Sequence, residues 1–128
     1  MSKKKGSRAE RELFHRLWEM KWAVVRSAGS GSTPMPSPDL ITSNGKRTIA
    51  LECKAVKAKA KYFPIEEIEE LLEFSNHFGA EPWIAMRFDK EDWFFIHLDN
   101  VPESKGSSYT ISLDYAKEKG IRFEELIK

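Results

Sequence analysis

The stretch Ser37–Lys54, "SPDLITSNGKRTIALECK", decides how this chain is read. Two apolar runs, 40–42 and 48–51, flank Asn44-Gly45, the strongest short-range signal for a β-hairpin. Yet Asp39, Glu52 and Lys54 stand where an ordinary strand would carry Val or Ile. A two-residue turn puts Ser43 opposite Lys46, so Asp39 faces Ala50 and Glu52 becomes its diagonal neighbour on the same face. Lys54 follows two residues later and shares that face, while Ile49, Leu51 and Cys53 take the other and can enter a core. A loop of three residues would invert the parity and scatter the group.

Two carboxylates this close repel unless a cation lies between them. A hard divalent ion with oxygen ligands fits, Mg²⁺ before others. Such an ion activates water and offsets the charge that develops on a phosphodiester, and Lys54 beside it can orient the water or stabilise the transition state. The rival reading is an edge hairpin whose charges block aggregation. The Glu-x-Lys spacing alone does not decide, because Glu19–Lys21 and Glu103–Lys105 repeat it; only Glu52–Lys54 lies in a hairpin behind Pro38-Asp39.

Upstream, Ser7–Met20 reads as a helix with Ala9, Leu13, Leu17 and Met20 in one apolar stripe, widened by Phe14. Glu10 has Leu13, Phe14 and Leu17 at i+3, i+4 and i+7, so it faces inward. Two readings of it stay open: a third carboxylate of the metal group, or the partner of Ser7 in a capping box. A Val-rich strand over 22–28 carries Arg26, aimed either at the site or at solvent, and a Pro- and Ser-rich loop fills 29–38. Downstream, a basic tract over 54–62 leaves the hairpin. Pro64 opens a second helix with Ile65, Ile68, Leu71, Leu72 and Phe78 on its apolar face and Gly79 at its end. Strands at 82–88 and 92–98, a short strand and helical turns complete the chain. The order αβββαββ with a mixed tail predicts an α/β fold, a mixed central β-sheet flanked by helices. With no repeat and no second hydrophobic unit, residues 1–128 are expected to form a single domain, with a basic N-terminal arm at 1–6 and a flexible active-site loop at 29–38.

Hydrophobic content of 41% and aromatic content of 12% argue for a folded chain. No apolar run approaches the roughly 20 residues that span a membrane, and no signal-peptide segment opens the sequence. The single Cys53 excludes an internal disulfide and a Cys-cluster metal site. A soluble, cytoplasmic protein is expected, nucleoid-associated if its partner is DNA. The net charge of +1 conceals a polarity: residues 1–61 hold fourteen Lys and Arg against five Asp and Glu, residues 62–128 seven against fifteen. The basic half suits a polyanion; two solvated faces of opposite sign are the plainer alternative. His15, His77 and His97 are scattered and read as structural or surface residues.

Pro38-Asp39, Glu52-x-Lys54 and a preceding helix with Glu10 resemble the PD-(D/E)xK nuclease superfamily. More narrowly, "KGSRAERELFHRLWEMKWAVVRSAGSGS" and "PDLITSNGKRTIALECK", continued by "LLEFSNHFGAEPWIAMRF", are similar to the archaeal Holliday-junction resolvases over about residues 5–98. The resemblance implies a restriction-endonuclease-like fold and a homodimeric, Mg²⁺-dependent endonuclease, with Mn²⁺ as a substitute ion. Such an enzyme nicks two opposed strands of a four-way DNA junction in recombination and repair. Carried onto this sequence, the metal ligands are Glu10, Asp39 and Glu52, the catalytic lysine is Lys54, the functional arginines are Arg11 and Arg26, and a catalytic loop serine is Ser30 or Ser32. Charge adds Lys5, Arg8, Lys57, Lys59 and Lys61 to the expected DNA track. The expected dimer surface is Phe74, Phe78, Trp83, Trp93 and Phe95, each with core packing as its alternative; Phe74 lies off the helical stripe and is expected to face outward. Two other readings compete: a nuclease of the same superfamily acting on flaps, single strands or specific duplex sites, and a non-catalytic DNA-binding module with structural carboxylates.

Overall fold

A computed structural model describes residues 3–27, 35–102 and 106–128, with side chains from Arg8 onward. Its elements are α1 (Lys3–Glu19), β1 (Ala23–Arg26), β2 (Leu40–Ser43), β3 (Thr48–Val56), β4 (Ala60–Pro64), α2 (Ile65–Phe78), β5 (Glu81–Phe88), β6 (Phe94–His97), β7 (Ser108–Ser112), α3 (Leu113–Lys119) and α4 (Phe123–Leu126). Five strands form one sheet in the order β1-β2-β3-β5-β6, and β4 pairs with β7 in a separate ribbon. β3 and β5 run parallel and every other neighbouring pair is antiparallel, so the sheet is mixed, as the sequence predicts.

β3 explains the unbroken apolar run Ile49–Leu51. It is a central strand covered on both faces. Ile49 and Leu51 meet Leu13 and Leu17 of α1 together with Phe95, Phe123 and Leu126. Ala50 turns the other way, into a second core with Ile84, Met86 and Ile96 of the sheet, Ile68 and Leu71 of α2, and Phe63 and Ile111 of the ribbon. Beyond Leu51 the cover thins, and Glu52, Cys53 and Lys54 are only half-buried.

The hairpin differs from its sequence reading in one respect. Ser43 pairs with Thr48 and Leu40 with Leu51, so the loop holds four residues and Ala50 faces Ile41. The Asn44 side chain accepts hydrogen bonds from the Lys46 and Arg47 amides at 2.9 and 2.8 Å, which widens the turn while Gly45 takes φ 94°. Arg47 is drawn off to Glu81 and to the carbonyls of Leu126 and Lys128. The register moves by two residues, parity is kept, and Asp39 stands next to the Leu51–Glu52 step, its amide donating to Leu51 O at 3.0 Å.

Two further corrections concern helix α1 and the basic tract. α1 begins at Lys3, so residues 3–6 are helical and Ser7 is an interior residue that cannot serve as an N-cap. At its other end the helix stops at Glu19, Lys21 takes a left-handed φ of 68°, and Met20 is exposed. Ala60–Pro64 is a strand, with Phe63 buried and Tyr62 exposed; its lysine-rich approach hid the alternation. α2 follows directly and ends on Gly79 at φ 80°. No helix among the described residues is long and apolar enough to cross a membrane.

Candidate active site

Four elements converge where β2 begins and β3 emerges from its double cover. α1 supplies Glu10, the end of β1 supplies Arg26, Asp39 precedes β2, and β3 carries Glu52 and Lys54. Asp39 is fixed through its backbone on both sides, by Ser27 N–H to its carbonyl at 2.9 Å and by its own N–H to Leu51 O. Its carboxylate accepts the Cys53 amide at 2.8 Å. Arg26 Nε donates to Glu10 Oε1 at 2.6 Å, so Arg26 is turned toward Glu10, and with Ser7 inside α1 Glu10 is engaged across to β1 instead of in a capping box. Lys54 Nζ lies 3.7 Å from Glu52 Oε2 and 3.1 Å from Glu67 Oε1 of α2.

Among the described residues, the potential ligand atoms of Glu10, Asp39 and Cys53 come within 4.8 Å of one another. Glu52 lies on the opposite face of β3 from Cys53 and is held toward Lys54, outside that tightest group. It is still within electrostatic reach. Burial first, then the charge of Asp39, pushes the Glu52 carboxyl up to about 8. Burial also raises Asp39; the Cys53 amide works against this, and the Glu10 charge adds to it. Burial lifts the Cys53 thiol well above its ordinary value, so it stays protonated and is a poor ligand for a hard ion. Burial alone would lower the Lys54 ammonium, but the charges of Glu52, Glu67 and Asp39 outweigh it and raise the group. Asp39 and Glu52, partly buried carboxyls that resist ionising, stand near Glu10, and oxygen donors of this kind suit a divalent hard cation. A narrow cleft of about 70 Å³ reaches the site past Ser37, Pro38, Glu52, Glu67, Glu70 and Leu71.

The family model described as archaeal Holliday junction resolvase (Hjc) matches residues 1–128. The chain belongs to this family. A relative from Archaeoglobus fulgidus named crossover junction endodeoxyribonuclease Hjc is 34% identical, over 96% of this chain and 95% of its own. A protein of the same name from Methanocaldococcus jannaschii is 35% identical, over 97% of this chain and 87% of its own. The crystal structure of the Archaeoglobus fulgidus Hjc, titled a Holliday junction resolvase, superposes with a TM-score of 0.88 at 31% identity, covering 96% of this chain and 100% of that one.

The remaining expectations for a resolvase of this family fall out unevenly. Ser30 and Ser32 lie outside the described residues, as does the Lys5 side chain. Arg8, Arg11, Lys57 and Lys59 are exposed and Lys61 half-exposed, whereas Arg26 is committed to Glu10. Of the five aromatic residues expected at a dimer surface, Trp93 (1% exposed) and Phe95 (0%) are filled into the α1-side core and have no surface to offer. Trp83 is half-buried against the same core and donates its indole N–H to Glu81. Phe74 is half-buried against the α2-side core and stacks on Phe78 with centroids 5.1 Å apart; Phe78, at 54% exposed, is the outward one. The sequence reading missed Glu67. Its signal was present: Ile68 and Leu71 at i+1 and i+4 face the sheet, so Glu67 flanks the buried side of α2.

Proposed function

We propose that this chain is a divalent-metal-dependent endonuclease that resolves four-way DNA junctions, with residues 1–128 as one nuclease domain working as a homodimer in the cytoplasm, at the nucleoid. The observation that carries the reading is the gathering of the Asp39 and Glu52 carboxyls beside the Lys54 ammonium, with Glu10 alongside. Glu10, Asp39 and Glu52 are the proposed ligands and Mg²⁺ the proposed ion, with Mn²⁺ able to replace it. When bound, the ion supplies Lewis-acid charge at the phosphate and cancels the repulsion among the carboxylates. The hydrolysis joins a water oxygen to phosphorus as one P–O ester bond breaks, the attacking water giving up a proton and the leaving oxygen taking one up from solvent. Lys54 donates from its ammonium to the incoming water or to a non-bridging oxygen, where negative charge grows. The Cys53 amide keeps Asp39 in place, and Arg26 does the same for Glu10. Ser30 or Ser32 is the proposed catalytic serine, and the exposed cations Arg8, Arg11, Lys57 and Lys59, with Lys5 and Lys61, carry the proposed phosphate track.

A four-way junction, a flap and a linear duplex of the same arm sequences, each incubated with protein and Mg²⁺, test this. Paired symmetric nicks in the junction alone are expected, and Asp39→Asn or Glu52→Ala should abolish them while junction binding persists. Equal cutting of duplex or flap would move the function to another nuclease activity. Binding without cutting by the unaltered protein would leave a DNA-binding module.

A further inference from the structure

Glu67 has no part in the proposed metal site, yet it makes the shortest ion pair at the site lysine. Its Oε1 lies 3.1 Å from Lys54 Nζ, closer than the Glu52 oxygen at 3.7 Å. It comes from a different element, the first turn of α2, and that turn is anchored to the sheet by buried Ile68 and Leu71. Glu67 and Glu52 line the same narrow cleft. With Glu10, Asp39 and Glu52 as the proposed ligands of an ion, Glu67 would be the anion left facing Lys54. A lysine side chain has four rotatable bonds, and an ammonium without a fixed partner spreads over several rotamers; a misplacement of about 1 Å at a reacting centre costs on the order of 100-fold in rate.

We infer that Glu67 is a positioning residue of the reaction: from α2 it holds the Lys54 ammonium in place beside Glu52, next to the narrow cleft that Glu52 and Glu67 line. This rests on the proposed endonuclease site. The rival is a structural ion pair that ties α2 to β3 and has no bearing on chemistry.

The experiment measures junction cleavage for Glu67→Gln and Glu67→Asp, each alone and on a Lys54→Ala background, with Glu52→Ala as the control. Glu67→Gln should lower kcat about 10- to 100-fold, with KM for the junction and the Mg²⁺ concentration for half-maximal rate both unchanged. Glu67→Asp should recover part of the loss. On the Lys54→Ala background, Glu67→Gln should slow single-turnover cleavage no further, because the lysine through which it acts is gone. A wild-type kcat for Glu67→Gln overturns the inference. So does a loss that saturating Mg²⁺ restores, which would make Glu67 an ion ligand, and so does an equal further loss on the Lys54→Ala background. An inactive Glu52→Ala beside a fully active Glu67→Gln removes only the role given to Glu67; wild-type cleavage by Glu52→Ala removes the site itself.

Discussion

At the scale of single residues, Glu52 links protons and stability to the proposed metal site. Its carboxyl is raised from an ordinary 4.5 to about 8, so between those values the folded protein binds more protons than the unfolded chain. Stability then falls as pH rises through that window, and the contribution is fully present only at the acid end. The cation-free protein should melt at a lower temperature at pH 8 than at pH 5.5. Mg²⁺ should raise the melting temperature more at pH 8, where the ion displaces fewer protons, and EDTA should reverse the gain. A melting temperature that climbs from pH 5.5 to 8 without metal would contradict the assignment. Asp39→Asn keeps an acceptor for the Cys53 amide and removes one of the repelling charges. It should therefore hold or raise the melting temperature, by calorimetry, while losing at least 100-fold in cleavage. The pairing of Glu52 with Lys54 was legible because residues two apart on a strand share a face; the turn of the Asp39 carboxylate to the Cys53 amide, which groups it with Glu10 and Cys53, was not. Glu67 was not, because its partner is 13 positions away on another element and α2 is crowded with glutamates.

At the scale of elements, the β2–β3 loop shows where local signals stop short. Asn44-Gly45 reads as a two-residue turn, but the Asn44 side chain caps two amides at once and opens the loop to four. Asn44→Ala leaves both amides to solvent and should cost about 1–2 kcal/mol, seen as a lower denaturation midpoint with kcat nearly unchanged. The order of helices and strands was legible from periodicity and from Pro64 and Gly79, which mark the limits of α2. β4 was not, because only Phe63 of that strand is buried and the tract before it is basic. α1 exceeded its reading because the capping box at Ser7 named a plausible start, while the backbone runs helical from Lys3.

At the scale of the molecule, charge that is polarised along the sequence is mixed in space. Arg87, from the acidic half, pairs with Glu12 of α1 and lines a cleft of about 590 Å³ with Arg8 and Lys90. Replacing Lys57, Lys59 and Lys61 together by Ala should weaken junction binding and flatten its salt dependence by about 0.9 in log–log slope for each phosphate no longer neutralised. Fluorescence anisotropy over a salt series measures it. The proposed homodimer is best tested at Phe78: Phe78→Asp should shift sedimentation from dimer to monomer without unfolding, whereas an unshifted dimer would place the interface elsewhere. The double cover of β3 has a consequence for how the protein opens. Amides of Ile49–Leu51, walled in by both cores, should exchange with deuterium only when the whole chain unfolds, and they pin the strand that bears Glu52 and Lys54. The β4–β7 ribbon stands outside that sheet, and its amides should exchange through a smaller, cheaper opening. Because β4 runs straight into the first turn of α2, an opening that also lifts Ile68 and Leu71 from the second core would release Glu67 from the lysine while the carboxylates stay assembled. Catalytic competence would then fade on warming before any global melting transition begins.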